Sequence, residues 1–98
     1  MNRLITLAAA AAILATPAAA AEIRVSLVGK TAEQVHADIV RAASDLCWKQ
    51  HRRDDLRMYV YPACIRGSVK NAIAQIGDAQ LTAYAQANPR AWRQYAAR

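Results

Sequence analysis

Apolar residues open the chain as a nearly unbroken run and then separate into periodic patterns. Leu4 to Leu14 is interrupted only by Thr6, follows a single charge at Arg3, and leads through Pro17 to Ala18–Ala21. A charged start, a short apolar centre and a small-residue exit make the pattern of a secretory signal peptide. A run of about 11 residues is too short for a membrane anchor, which needs roughly 20. The reading is therefore a cleaved leader over 1–21, cut after Ala20 or Ala21, and one small helical domain over 22–98. No Cys near the cut offers a lipid attachment point, and no Arg pair points to the twin-arginine route.

Beyond the leader the period changes twice. Ile23, Val25 and Leu27 alternate with Glu22, Arg24 and Ser26, the period of a half-buried strand that ends at Gly29–Lys30. Thr31-Ala32-Glu33-Gln34 then has the form of a capping box. It predicts a helix from Ala32 to about Gln50, with Ala32, Val35, Ile39, Ala42, Ala43 and Leu46 on one face and Cys47 at its flank. Asp38, Arg41, Asp45 and Lys49 fall opposite, as a solvated ladder of weak ion pairs.

The charged connector His51–Asp55 carries no apolar demand. A second helix starts between Leu56 and Tyr61, with Pro62 placed near its first position and Met58–Tyr61 as an irregular approach. Ile65, Val69, Ala72, Ile73 and Ile76 mark its buried stripe, and Gly77 sits where a helix-ending glycine belongs. Asp78 caps a third helix with Leu81 and Tyr84 inward. Asn88–Pro89 starts a last short helix over Arg90–Ala97.

A domain of some 77 residues buries a thin core, and chains below roughly 80 residues commonly add a staple. The chain contains two cysteines, Cys47 and Cys64, and export would put them where disulfides persist. Two cysteines allow one intramolecular pairing, worth on the order of 3 kcal/mol by the chain-entropy argument. The expected fold is mainly α: a disulfide-stapled antiparallel helical hairpin with one short N-terminal β-strand and one or two short C-terminal helices. An isolated strand must find a partner for its backbone groups. Ile23–Val28 therefore either pairs with its twin in a homodimer, adds to a partner's sheet, or packs across the helices as an extended segment.

Charge narrows the partners. There are 13 Lys and Arg against 7 acids, and losing Arg3 with the leader leaves five net positive charges. Export removes nucleic acid as a partner and favours anionic envelope polymers, anionic lipid headgroups or acidic proteins. His51, Arg52, Arg53 and Arg57 cluster with Trp48, Tyr59 and Tyr61 at the disulfide end. Arg90, Arg93 and Arg98 alternate with Trp92 and Tyr95 at the C-terminus. Cationic and amphipathic aromatic groups together suit an anionic interface. The plainer alternative is that Trp92 and Tyr95 pack onto the helices.

Catalytic and metal chemistry has weaker support. Cys47, Cys64, His36 and His51 are suitable metal-ligand types, yet no C-x2-C or H-x3-H pair exists. The two cysteines have sixteen residues between them, unlike the C-x-x-C of redox-active pairs. Ser26, Ser44 and Ser68 have no nucleophile-elbow context, and nothing sets a base beside a nucleophile. No cofactor is expected.

Asp45-Leu46-Cys47 closing a helix, the basic connector, Ala63-Cys64, Val69-Lys70-Asn71-Ala72-Ile73-Ala74-Gln75-Ile76 and Leu81-Thr82-Ala83-Tyr84 follow the leader and the segment ending near Gly29. In this order they resemble the UrcA family of small exported bacterial proteins, over nearly all of Ile23–Tyr84. Trp48 stands where a small residue is more usual, Pro62 interrupts the helical approach to the second Cys, and Pro89–Arg98 has no clear counterpart. The resemblance implies a periplasmic or secreted location and the use of a disulfide. It implies no activity. The expected function is a non-enzymatic binding or stress-accessory protein of the envelope. A first alternative is a binder of anionic lipid or polysaccharide through Trp48, Arg52, Arg53, Arg57, Arg90, Trp92 and Arg93. An enzyme or metal carrier is the second.

Overall fold

The computed structural model describes residues 23–95. Residues 1–22, with the expected leader, and residues 96–98, Arg98 among them, lie outside these. Helix α1 spans Ala32–His51, α2 spans Arg57–Ile76, α3 spans Ala79–Ala87, and a single 3-10 turn covers Arg93–Tyr95.

Each start and stop has a local cause. Thr31 Oγ1 accepts from the Gln34 amide at 3.2 Å while Gln34 Oε1 accepts from the Thr31 amide at 2.9 Å, so the capping box opens α1 by satisfying two orphan donors at once. Gly77 ends α2 at φ 68°, a left-handed conformation open to glycine at no steric cost. One residue on, Asp78 Oδ1 accepts from the Leu81 amide at 3.0 Å and starts α3.

The start of α2 differs from the sequence expectation. Pro62 lies inside the helix, at its sixth residue, and Met58–Tyr61 is helical rather than irregular. The initiating residue is Asp54. Its Oδ1 accepts from the Leu56 amide at 2.9 Å and its carbonyl accepts from the Arg57 amide at 3.1 Å, a side-chain-supported turn that launches the helix ahead of the proline.

Ile23–Val28 forms no strand. No second strand exists among the described residues to receive its ladder bonds; Ile23 and Val25 pack against the helical core, while Leu27, expected inward with them, is 46% exposed. Within the chain, packing against the helices takes the place of strand pairing. The last helix is also shorter than expected: over the described part of Arg90–Ala97 there is a turn followed by the 3-10 turn, and Asn88 closes α3 instead of opening a new helix. Its Nδ2 donates to the Tyr84 carbonyl at 2.9 Å.

The core is built by Val35, Ile39, Val40, Ala43 and Cys47 of α1, Tyr61, Ile65, Val69 and Ile73 of α2, and Leu81 of α3. Two stripes of α1 are buried rather than one. Val35, Ile39 and Ala43 form the first; His36, Val40, Ser44 and Cys47 form the second. The second exists because α1 is covered by three elements, α2, α3 and the tail turn. An apolar arc drawn for one neighbour is too narrow for a helix with three.

Cys47 and Cys64 are bonded, with Cα atoms 5.8 Å apart. The bridge ties the last turns of α1 to the first half of α2, beside the connector. Cys47 is fully buried and Cys64 half-exposed.

Candidate binding surface

The connector between α1 and α2 is a tight chain of hydrogen bonds. The Arg52 amide donates to the Trp48 carbonyl and the Asp54 amide donates to the His51 carbonyl, both at 2.9 Å. Asp54 is drawn inward by the Leu56 amide and stands 3.9 Å from His51 Nδ1. Arg52, Arg53 and Arg57 are left exposed. Asp55 is exposed, the Asp54 side chain keeps 40% exposure, and α2 carries no acid in its first turn.

The same stretch projects apolar side chains. Leu56, Met58 and Tyr59 are 60%, 76% and 73% exposed. Met58 lies three residues before Tyr61 and seven before Ile65, in register with the core stripe of α2, yet it is open to solvent. The apolar face of α2 thus continues one turn beyond what the rest of the domain covers. The sequence reading found Tyr59 here and missed Leu56 and Met58; tracing the α2 stripe back past Pro62 would have found Met58.

The remaining aromatics do structural work. Trp48 is half-buried and meets Tyr61 edge-on, ring centroids 5.5 Å apart. Tyr61 is 2% exposed; its hydroxyl donates to the Tyr95 carbonyl at 2.9 Å and lies 2.6 Å from Ser44 Oγ. Trp92 and Tyr95 pack against the core, and the Arg66 guanidinium sits 5.8 Å from the Trp92 ring centroid, within cation–π range. The plainer alternative for these two aromatics therefore holds. Arg90 and Arg93 are exposed on the tail, a different element from the connector. Arg52, Arg53, Arg57, Leu56, Met58 and Tyr59 are all exposed within the single stretch 52–59, while Trp48 packs on Tyr61.

Other groups are arranged for packing. His36 is buried with its ring 5.2 Å from that of Tyr84, and burial pushes its pKa below the ordinary value. Asp38 accepts from Lys30 and faces Arg41 at 3.5 Å; the Lys30 hydrogen bond, aided by both cations, holds its carboxyl below the usual range. No group of three or more His, Cys, Asp or Glu comes together among the described residues. A partly enclosed recess lined by Leu27, Val35, Asp78 and Leu81 has a volume near 60 Å³, far below the several hundred Å³ of an organic-ligand site, and two larger recesses, near 370 Å³ and 640 Å³, are shallow grooves open to solvent. No described helix is long and apolar enough to cross a membrane.

Comparison with known protein families, curated proteins and solved structures finds no match to this chain. What is shown is therefore its class: a small, mainly helical domain with one internal disulfide.

Proposed function

We propose that this is an exported, non-enzymatic protein of the bacterial envelope that acts by binding anionic surfaces through its α1–α2 connector. The observation that carries this reading is the exposure of Arg52, Arg53 and Arg57 around the uncovered Leu56, Met58 and Tyr59. Singly exposed apolar residues are ordinary, but three within four positions and rimmed by cations mark an interaction surface. The leader pattern over 1–21 and the resemblance to the UrcA family support the envelope location. In this reading α1 and α2 are an antiparallel hairpin stapled near its connecting end, and the connector is its tip.

The test uses the oxidised domain beginning at Glu22. It should be retained by dextran sulfate and by vesicles containing phosphatidylglycerol, with affinity falling as salt rises past about 0.1 M, where the Debye length is near 10 Å. Equal retention on a neutral matrix and on neutral vesicles would remove the electrostatic basis of the proposal. Intact-mass measurement of the native product should show a chain starting at Glu22 or Ala21 and lacking free thiols.

A further inference from the structure

We infer that the connector tip is a membrane wedge for anionic phospholipid: Leu56, Met58 and Tyr59 enter the headgroup–acyl boundary while Arg52, Arg53 and Arg57 engage phosphates. The inference rests on the anionic-surface reading above and goes further by naming the occupant. Charge alone would suit a sulfated or phosphorylated polymer as well as a lipid. The three apolar side chains separate the two. A hydrated polymer gives Leu56 at 60%, Met58 at 76% and Tyr59 at 73% exposure no apolar phase to enter, whereas a bilayer interface does.

The chemistry of each position fits such a boundary. Leu56 and Met58 are wholly apolar beyond the backbone, and Met is the flexible filler of irregular apolar surfaces. Tyr59 combines an apolar ring with a polar hydroxyl, suited to headgroup depth. Arg57 sits between Leu56 and Met58 in sequence, so a cation and an apolar chain alternate along the tip. Guanidinium groups bind phosphate bidentately. The backbone beneath is fixed by Asp54 through the Leu56 and Arg57 amides, and the Cys47–Cys64 bridge lies just behind it. A preformed tip binds without a large ordering cost.

The occupant is therefore a lipid surface rather than a second copy of this chain. Two tips would bring Arg52, Arg53 and Arg57 of each chain together, three cations against the two acids Asp54 and Asp55 on each side, so like charge outweighs opposite charge.

The experiment compares the wild-type domain with an apolar variant, Leu56→Ser/Met58→Gln/Tyr59→Ser, and a charge variant, Arg52→Gln/Arg53→Gln/Arg57→Gln. All six positions are exposed, so the fold should persist, and helical circular dichroism confirms it. Each protein is sedimented with phosphatidylcholine vesicles, sedimented with vesicles containing phosphatidylglycerol, passed over dextran sulfate, and weighed alone by light scattering. Wild type should bind the anionic vesicles with a component that survives raised salt, and remain monomeric. The apolar variant should lose at least about tenfold in anionic-vesicle affinity, since one buried large apolar side chain is worth about that factor, yet keep its dextran sulfate retention. The charge variant should lose both. An apolar variant that binds anionic vesicles as well as wild type overturns the wedge and leaves the anionic-surface reading standing. Wild type retained by neither vesicles nor dextran sulfate overturns both. A concentration-dependent dimer abolished by the apolar variant assigns the patch to self-association and overturns the wedge.

Discussion

The Tyr61 hydroxyl and Ser44 Oγ lie 2.6 Å apart, both atoms in residues no more than 2% exposed. The tyrosine has one proton, and the Tyr95 carbonyl 2.9 Å away accepts it; the Ser44 hydroxyl, free to rotate, has the tyrosine oxygen at 2.6 Å and the same Tyr95 carbonyl at 3.4 Å as acceptors. One phenol in α2 so joins α1 to the C-terminal turn. Tyr61→Phe removes the short bonds to Ser44 and the Tyr95 carbonyl and leaves those two groups only their long 3.4 Å contact with each other. The expected loss is about 1–3 kcal/mol, with faster hydrogen exchange and proteolysis confined first to the tail beyond Asn88. Adding Ser44→Ala to Tyr61→Phe should cost less than the sum of the two single changes, because the pair is one network. Strict additivity, or a tail no more labile than in wild type, would show that the hydroxyl is not what holds the turn.

The disulfide has one sheltered and one accessible end. Cys47 is fully buried, while Cys64 is half-exposed with Gln50 and Ser68 at its sulfur. Thiol attack should therefore arrive at Cys64 and release Cys47. A trapping experiment with a small thiol should find the mixed disulfide on Cys64. Cys47→Ser/Cys64→Ser should lower stability by about 3 kcal/mol, as expected for a bridge between residues 17 apart. In a domain whose total is on the order of 5 kcal/mol, that change should leave a measurable unfolded fraction at 37 °C. A double variant as stable as wild type would mean that the helices need no staple.

Much of the helical layout was legible because its signals are local. Thr31 and Gln34 sit at capping-box spacing, Gly77 follows the last stripe residue of α2, and Asp78 precedes Leu81 by three. What stayed hidden depends on tertiary neighbours. The buried His36–Val40–Ser44 stripe reflects coverage of α1 by α3 and the tail, which no periodicity within α1 reports. The alternation at Ile23–Leu27 is matched by Ile23 and Val25, which pack inward, but not by Leu27, which is 46% exposed; a strand also needs a partner, and none lies among the described residues. The binding surface was half legible: the arginines could be counted, whereas the exposure of Leu56 and Met58 follows from where α1 ends relative to α2.

Pro62 shows a tertiary contact prevailing over propensity. At the sixth residue of α2 it has no N–H to donate to the Met58 carbonyl, and its ring crowds that turn. The helix nonetheless continues back to Arg57, because Asp54 starts it there and Tyr61 must reach Ser44 and Tyr95. Pro62→Ala should then stabilise the domain by about 1–3 kcal/mol, within the cost of an interior proline, and raise the melting temperature by several degrees. A lower melting temperature in Pro62→Ala would mean that the half-buried ring contributes packing that outweighs the missing bond.

Acidification should weaken the fold in two separable steps. Burial holds the His36 pKa below its ordinary 6.5, so the folded state resists a proton that the unfolded chain accepts. Stability is then complete above about pH 6.5 and declines as pH falls below that value, until the folded histidine itself titrates. Asp38 acts lower on the scale. The Lys30 hydrogen bond depresses its pKa from 3.8, so its contribution is present above that value and disappears as pH falls through the folded pKa. Asp38 lies at the surface, so its step should be shallow and weakened by salt, while that of His36 should resist salt. Melting temperatures taken between pH 8 and pH 3 should bend near each position. His36→Gln should flatten the upper bend and leave the lower one, and Asp38→Asn should do the reverse. If His36→Gln melts with the same slope as wild type between pH 7 and pH 5, the histidine titrates alike in folded and unfolded chains, and its burial between α1 and Tyr84 carries no electrostatic consequence.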